Sequence, residues 1–110
     1  MTGPDPDLPP QLDPVVQHPS KLAVAAFLSG CLEAEFKAVS DGLALSDSAL
    51  SKIVTVLEGA GYVKARKGYV GKRPRTWLAL TATGRRRLSA HLSALQQIAD
   101  QARERGAGLG

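Results

Sequence analysis

Between Ser46 and Thr55 the chain sets small hydroxyls and one cation at helical intervals. Ser48, Ser51, Lys52 and Thr55 can share one helix face, while Leu50, Ile53, Val54 and Leu57 fall on the opposite one. Ser46 and Asp47 stand just ahead of them, where an N-cap and a first-turn acid belong. Such side chains donate and accept hydrogen bonds without bulk. Their chemistry is recognition rather than proton transfer. A second set lies downstream. From Lys64 to Ala99 there are nine Lys or Arg and no acid, whereas from Met1 to Val63 three lysines face eight acids. Basic charge gathered on a folded segment is the electrostatic footprint of a nucleic-acid binder.

The same residues exclude other chemistries. No Ser–His–Asp grouping, glycine-rich strand-to-helix loop or carboxylate cluster is visible, so the chain does not read as an enzyme. His18, His91 and Cys31 are scattered, without the paired spacing of a metal site, and no cofactor is expected. Cys31, the single cysteine, has no intramolecular disulfide partner and reads as a small buried hydrophobe. The start, MTGPDPDLPP, has neither the basic nor the apolar region of a signal peptide. Leu22 to Leu28 is too short an apolar run to span a bilayer. The expectation is a cytoplasmic protein without a membrane partner.

The elements that must hold these residues are legible from their punctuation. Residues 1–11 carry four of the seven prolines and read as a disordered arm. Asp13 and Pro14 have the form of an N-cap and first helical position, and Leu22 to Leu28 that of a buried helix closed by Gly30. A short helix from Phe36 to about Leu43 leads through a tight turn at Ala44–Leu45 into the helix capped by Ser46. Gly59 and Gly61 close that helix.

A hairpin follows. Val63 and Ala65 alternate with Tyr62, Lys64 and Arg66, and Thr76, Leu78 and Leu80 with Arg75, Trp77 and Ala79. The connection KGYVGKRP is expected to be a projecting loop longer than a two-residue turn, with Tyr62 and Trp77 packing at its flanks. Thr81 would cap a helix running to about Arg105. There Leu88, Leu92, Leu95, Ala99 and Ala102 are spaced four, three, four, three as a heptad seam. That helix is about 35 Å long, more than one small domain needs, so the seam favours pairing with a second copy over covering its own domain. The arginines Arg85, Arg86 and Arg87 open it, a placement that opposes the helix dipole and points to a phosphate nearby or a solvated face.

The fold class expected is mainly α with a small β-hairpin (α+β), arranged as a winged helix-turn-helix. Its divisions are the arm at 1–11, the DNA-binding domain at 12–81, a dimerisation helix at 82–105 and a flexible tail at 106–110. A helix enters the DNA major groove only with a small, polar outer face, and the helix at about 46–59 has one. A stiff ribbon over about 66–75 would hold cations against backbone or minor groove.

LSDSALSKIVTVLEGAGYV followed by GKRPRTWLALTATGRRRL resembles the MarR-type winged-helix transcriptional regulators, over roughly Leu12 to Ala99. By that resemblance Ser46, Asp47, Ser48, Ser51, Lys52 and Thr55 supply the recognition helix. Lys37, Lys67, Lys72, Arg73 and Arg75 supply the wing and backbone contacts. The resemblance also implies a homodimer joined through terminal helices, here Leu88, Leu92, Leu95 and Ala99, and a small-molecule effector. The resulting expectation is a homodimeric regulator, a repressor, on double-stranded DNA of pseudo-palindromic sequence. The alternative is a winged-helix module docking an acidic protein partner.

Overall fold

The computed structural model describes residues 12–109, so the arm expected at 1–11 lies outside the described residues, as does Gly110. A 3-10 turn over Pro14–Val16 comes first. Asp13 caps it by accepting the Val15 N–H at 3.0 Å, the role its place before proline implies. Helix α1 spans Pro19–Ser29, with the His18 side chain accepting from Ser20 N–H as N-cap, and Gly30 follows its end. A two-residue strand β1, Ala34–Glu35, then leads directly into α2, Phe36–Gly42. This strand has no signal of its own in the sequence. It is ordered only by pairing with β3.

Between α2 and α3 (Asp47–Gly59) the chain turns through Ala44, which takes a left-handed φ of 54°. That conformation disfavours a side chain, and the adjoining turn tolerates it because Leu45 N–H reaches Ser40 O at 2.9 Å. Ser46 caps α3, accepting Ala49 N–H at 3.0 Å, and Asp47 sits in its first turn. Leu50, Ile53, Val54 and Leu57 are buried, as their spacing requires.

The hairpin departs from expectation at its tip. Strands β2 (Val63–Val70) and β3 (Arg73–Leu80) pair along their whole length, so the expected long loop is a two-residue turn at Gly71–Lys72. Only Gly71 has a positive φ there, +62°, the pattern of a type II′ turn, whose twist matches that of the strands. Pro74 is tolerated because β1 reaches only Leu78 and Trp77 of β3, leaving the outer part of β3 with one neighbour. The sheet order is β1-β3-β2, all antiparallel. Tyr62, expected to pack at the flank of the hairpin, is fully buried just before β2.

Helix α4 spans Ala82–Leu109, so it continues over residues read as a flexible tail. Thr81 caps it, its Oγ1 accepting Gly84 N–H at 2.9 Å. Its buried stripe is Gly84, Leu88, His91 and Ala94, after which every described residue is exposed. Leu88, expected in the pairing seam, instead belongs to the core of its own domain, because the first turns of α4 lie against the wing base. The core joins Val24, Ala25 and Leu28 of α1, Val39 of α2, the α3 stripe, Tyr62, Val63, Leu78 and Leu80.

Candidate nucleic-acid interface

On α3, Ser51, Thr55, Ser48 and Lys52 fall within about 100° of arc at 100° per residue, diametrically opposite the buried stripe. All four are exposed, as are Ser46 and Asp47. Thr55 Oγ1 donates to Ser51 O at 2.9 Å, and its oxygen keeps its capacity to accept. The face is narrow, polar and free of large side chains, suited to a groove lined by base edges.

The wing carries its charge in two classes. Lys72 at the turn and Arg73 beside it are exposed and, among the described residues, in no ion pair; the same holds for Lys64 and Lys67. Arg66 and Arg75 are engaged. Arg66 donates to Glu33 Oε1 at 2.6 Å and lies 4.3 Å over the Trp77 ring. Arg75 Nε meets Glu35 Oε1 at 2.6 Å, with each side chain only about one-third exposed. The register explains this: Glu35 opposes Trp77 on β3, one step of alternation from Arg75, so both point to the same side of the sheet. Arg75 was expected to project from the wing; it lies down along it instead.

A cleft of about 490 Å³ runs between the wing and the N-terminal ends of α2 and α3. Lys37, Asp47, Lys67 and Arg75, predicted from sequence, meet there with Glu35, Phe36, Tyr69 and Thr76, which were not. Lys37 also reaches Asp41 at 3.3 Å, on the exposed surface of α2. The missed carboxylates Glu33 and Glu35 had no local signal, since they meet Arg66 and Arg75 only because β1 pairs with β3.

The three arginines opening α4 have partners other than phosphate. Arg85 donates to Cys31 O at 2.9 Å and Ser29 O at 3.3 Å, closing the end of α1. Arg87 grips Asp13 through Nε at 2.8 Å and a second nitrogen at 3.0 Å. It also donates to Ala60 O and lies 4.7 Å over the Tyr62 ring. Arg86 is exposed and donates to Thr83 Oγ1 at 3.3 Å; like Arg85, it is in no ion pair among the described residues.

Asp13 is the centre of that knot. Its carboxylate also accepts the Tyr62 hydroxyl at 2.7 Å, and its backbone N–H donates to Nδ1 of buried His91 at 2.9 Å. That bond makes the neutral ring the one protonated at Nε2. Burial pushes the Asp13 carboxyl up, but the bonds from Arg87, Tyr62 and Val15 N–H outweigh it and hold the group below the usual carboxylate range. Burial first, and then the Asp13 carboxylate, raise the Tyr62 hydroxyl well above the ordinary tyrosine range, so it stays a donor. Sequence reading placed Asp13 only as a helix cap.

On α4, Leu92, Leu95 and Ile98 are exposed by 38–45%, and Ala99 is exposed beside them. Among the described residues no helix is long and apolar enough to cross a membrane, and no three His, Cys, Asp or Glu gather as metal ligands.

Residues 21–99 match the family described as a winged helix DNA-binding domain. No curated protein sequence matches the chain. Among solved structures, a transcriptional regulator homologue from Pyrococcus horikoshii OT3 is 30% identical with a TM-score of 0.75, over 80% of this chain and 87% of that one. A probable transcriptional regulator from Pseudomonas aeruginosa is 22% identical with a TM-score of 0.65, over 83% and 74%. Reduced AbfR bound to DNA is 24% identical with a TM-score of 0.65, over 72% of this chain and 55% of that one. The last two, at such identity, speak for the fold.

Proposed function

The chain belongs to the winged helix DNA-binding domain family, in keeping with the MarR-type resemblance of its sequence, and on that premise we propose that it is a homodimeric transcriptional repressor. The family is one of DNA-binding regulators rather than enzymes. In the proposed mode α3 enters the major groove with Ser48, Ser51, Lys52 and Thr55 toward base edges, and Lys72 and Arg73 carry the hairpin tip onto backbone or minor groove. The observation that carries this reading is the exposure of that small polar face directly opposite the buried stripe of α3.

Pairing rests on the exposed face of α4 from Leu92 onward, which its own domain does not cover and which carries Leu92, Leu95, Ile98 and Ala99. A two-fold pair would set its recognition helices about 34–36 Å apart, one turn of DNA, and so read a pseudo-palindromic operator. The protein would act in the cytoplasm, where its operator lies, and a small effector would set its occupancy.

The test is a gel shift on genomic fragments at several salt concentrations. With about six to ten phosphate contacts per dimer, affinity falls on the order of 10³–10⁵-fold between 50 and 200 mM salt. Binding that is indifferent to salt, or capture of an acidic protein with no affinity for duplex DNA, refutes the reading in favour of a protein-docking module.

A further inference from the structure

The bases that α3 can tell apart follow from the side chains it presents. Its sequence, DSALSKIVTVLEG, holds no Arg, Asn or Gln. The paired hydrogen bonds by which Arg reads guanine, and Asn or Gln reads adenine, are therefore closed to it. Ser48 and Ser51 are exposed, and a hydroxyl that both donates and accepts suits any base edge. Lys52 is exposed and in no ion pair among the described residues, so the two acceptors of a guanine are open to it.

Thr55 differs from the two serines. Its hydroxyl hydrogen is spent on Ser51 O at 2.9 Å, so it has no donor left for a base, only an accepting oxygen and a methyl. Val56 follows it. At 100° per residue Val56 lies about 70° to one side of the direction opposite the buried stripe, as far as Ser51 lies to the other. It is 47% exposed and outside the core cluster, so the domain covers its methyls only in part. Two neighbouring residues bring methyl groups to a face that is otherwise hydroxyl and ammonium.

Exposed methyls gain by meeting another apolar group, because water is then released from both. In the major groove the C5-methyl of thymine is the one apolar group that a base pair displays. We propose that Thr55 and Val56 read this methyl, so that each half-site carries a thymine recognised by apolar contact rather than by a hydrogen bond. The inference rests on the DNA-binding reading above, with α3 in the major groove. It adds the base that is read, the chemistry that reads it and a specificity-determining residue, Val56.

The experiment selects a preferred duplex from a random pool with the full chain. It then replaces the thymines, position by position, with deoxyuridine, which lacks only the methyl, and follows affinity by gel shift. At one position the wild type loses about fourfold when one half-site is changed and about fifteenfold when both are. Thr55→Ser removes a methyl and keeps the hydroxyl, and Val56→Ala shortens the valine. The double variant binds the thymine and uracil duplexes equally, and its affinity for random DNA stays within about twofold of the wild type because no phosphate contact changes. Thermal melting checks its fold. Should it be unfolded, each single variant still has to narrow the thymine-to-uracil ratio.

If deoxyuridine replaces every thymine without loss, thymine reading is overturned while the DNA-binding reading stands. If the variants discriminate thymine from uracil as well as the wild type does, the methyl is felt through another side chain or through the stiffness of the duplex, and the assignment to Thr55 and Val56 is overturned. If selection returns no preferred duplex, α3 reads no base and the inference falls. If the wild type binds no duplex at all, the DNA-binding reading has failed with it.

Discussion

Replacing Asp13 by Ala should cost this domain much of its stability, because one carboxylate joins the N-terminal turn, the wing base and α4. The side chain is 12% exposed and accepts from Arg87 Nε, a second Arg87 nitrogen, the Tyr62 hydroxyl and Val15 N–H. The losses are unequal. Arg87 is 36% exposed and keeps both its bond to Ala60 O and its place over the Tyr62 ring, so water and these contacts absorb most of its charge. Tyr62 is fully buried, and its hydroxyl would be left without its partner, a cost of about 1–3 kcal/mol.

Adding the lost cap at about 1 kcal/mol gives a destabilisation of roughly 2–4 kcal/mol, a large share of a domain's usual 5–15 kcal/mol. Urea unfolding followed by circular dichroism measures it. Adding Tyr62→Phe to Asp13→Ala removes the orphaned hydroxyl and should return part of the loss. The carboxyl is held below its usual range by the folded state, so its contribution is present above the unfolded value of about 3.9 and disappears as pH falls through the lower folded value. Asp13→Asn should therefore flatten the acid limb of the stability profile below about pH 4. An Asp13→Ala chain as stable as the wild type at neutral pH, or an unchanged acid limb in Asp13→Asn, would refute the knot as a stabilising unit.

Gly84→Ala drives a methyl into the Tyr62 carbonyl oxygen, so α4 must move off the wing base. The helix-propensity gain of about 1 kcal/mol is smaller than an overpacking cost at the upper end of about 1–3 kcal/mol, and thermal melting should show net destabilisation. Leu92→Glu with Leu95→Glu should sediment as a monomer with most of its helical signal intact, since both side chains are exposed in the single chain and Leu88 carries the core contact. Operator affinity should fall far more than random-DNA affinity, and a double variant that still sediments as a dimer moves the pairing surface elsewhere. Ser51→Ala and Thr55→Ala should each reduce specific binding by about 1–3 kcal/mol while sparing random DNA, and equal losses in both gel shifts would count against α3 as the reading helix.

What the chain declares by itself is whatever depends on near neighbours. Ser46, Asp13 and Thr81 are legible as caps because a cap bonds an amide two or three residues on. The α3 stripe is legible because helical period alone sorts Leu50, Ile53, Val54 and Leu57 from the small polar residues between them. The imbalance of charge along the chain and the winged helix-turn-helix order follow from the same local signals. The hairpin's strands were legible in their alternation, but their turn was not, because Gly71 competes with Gly68 and Pro74 as a breaker and only the pairing of Val70 with Arg73 decides among them.

The rest belongs to tertiary structure. Asp13 and Arg87 are 74 positions apart, and nothing in either neighbourhood marks the other. Strand β1 is two residues that become a strand only when β3 lies beside them, and that contact alone turns Arg75 from a projecting cation into the partner of Glu35. Leu88 and Leu92 look alike in a heptad. The wing base, packed on one side of α4, buries the first at 3% exposure and leaves the second at 45%, because a helix has two apolar positions to offer and its domain covers only what it can reach.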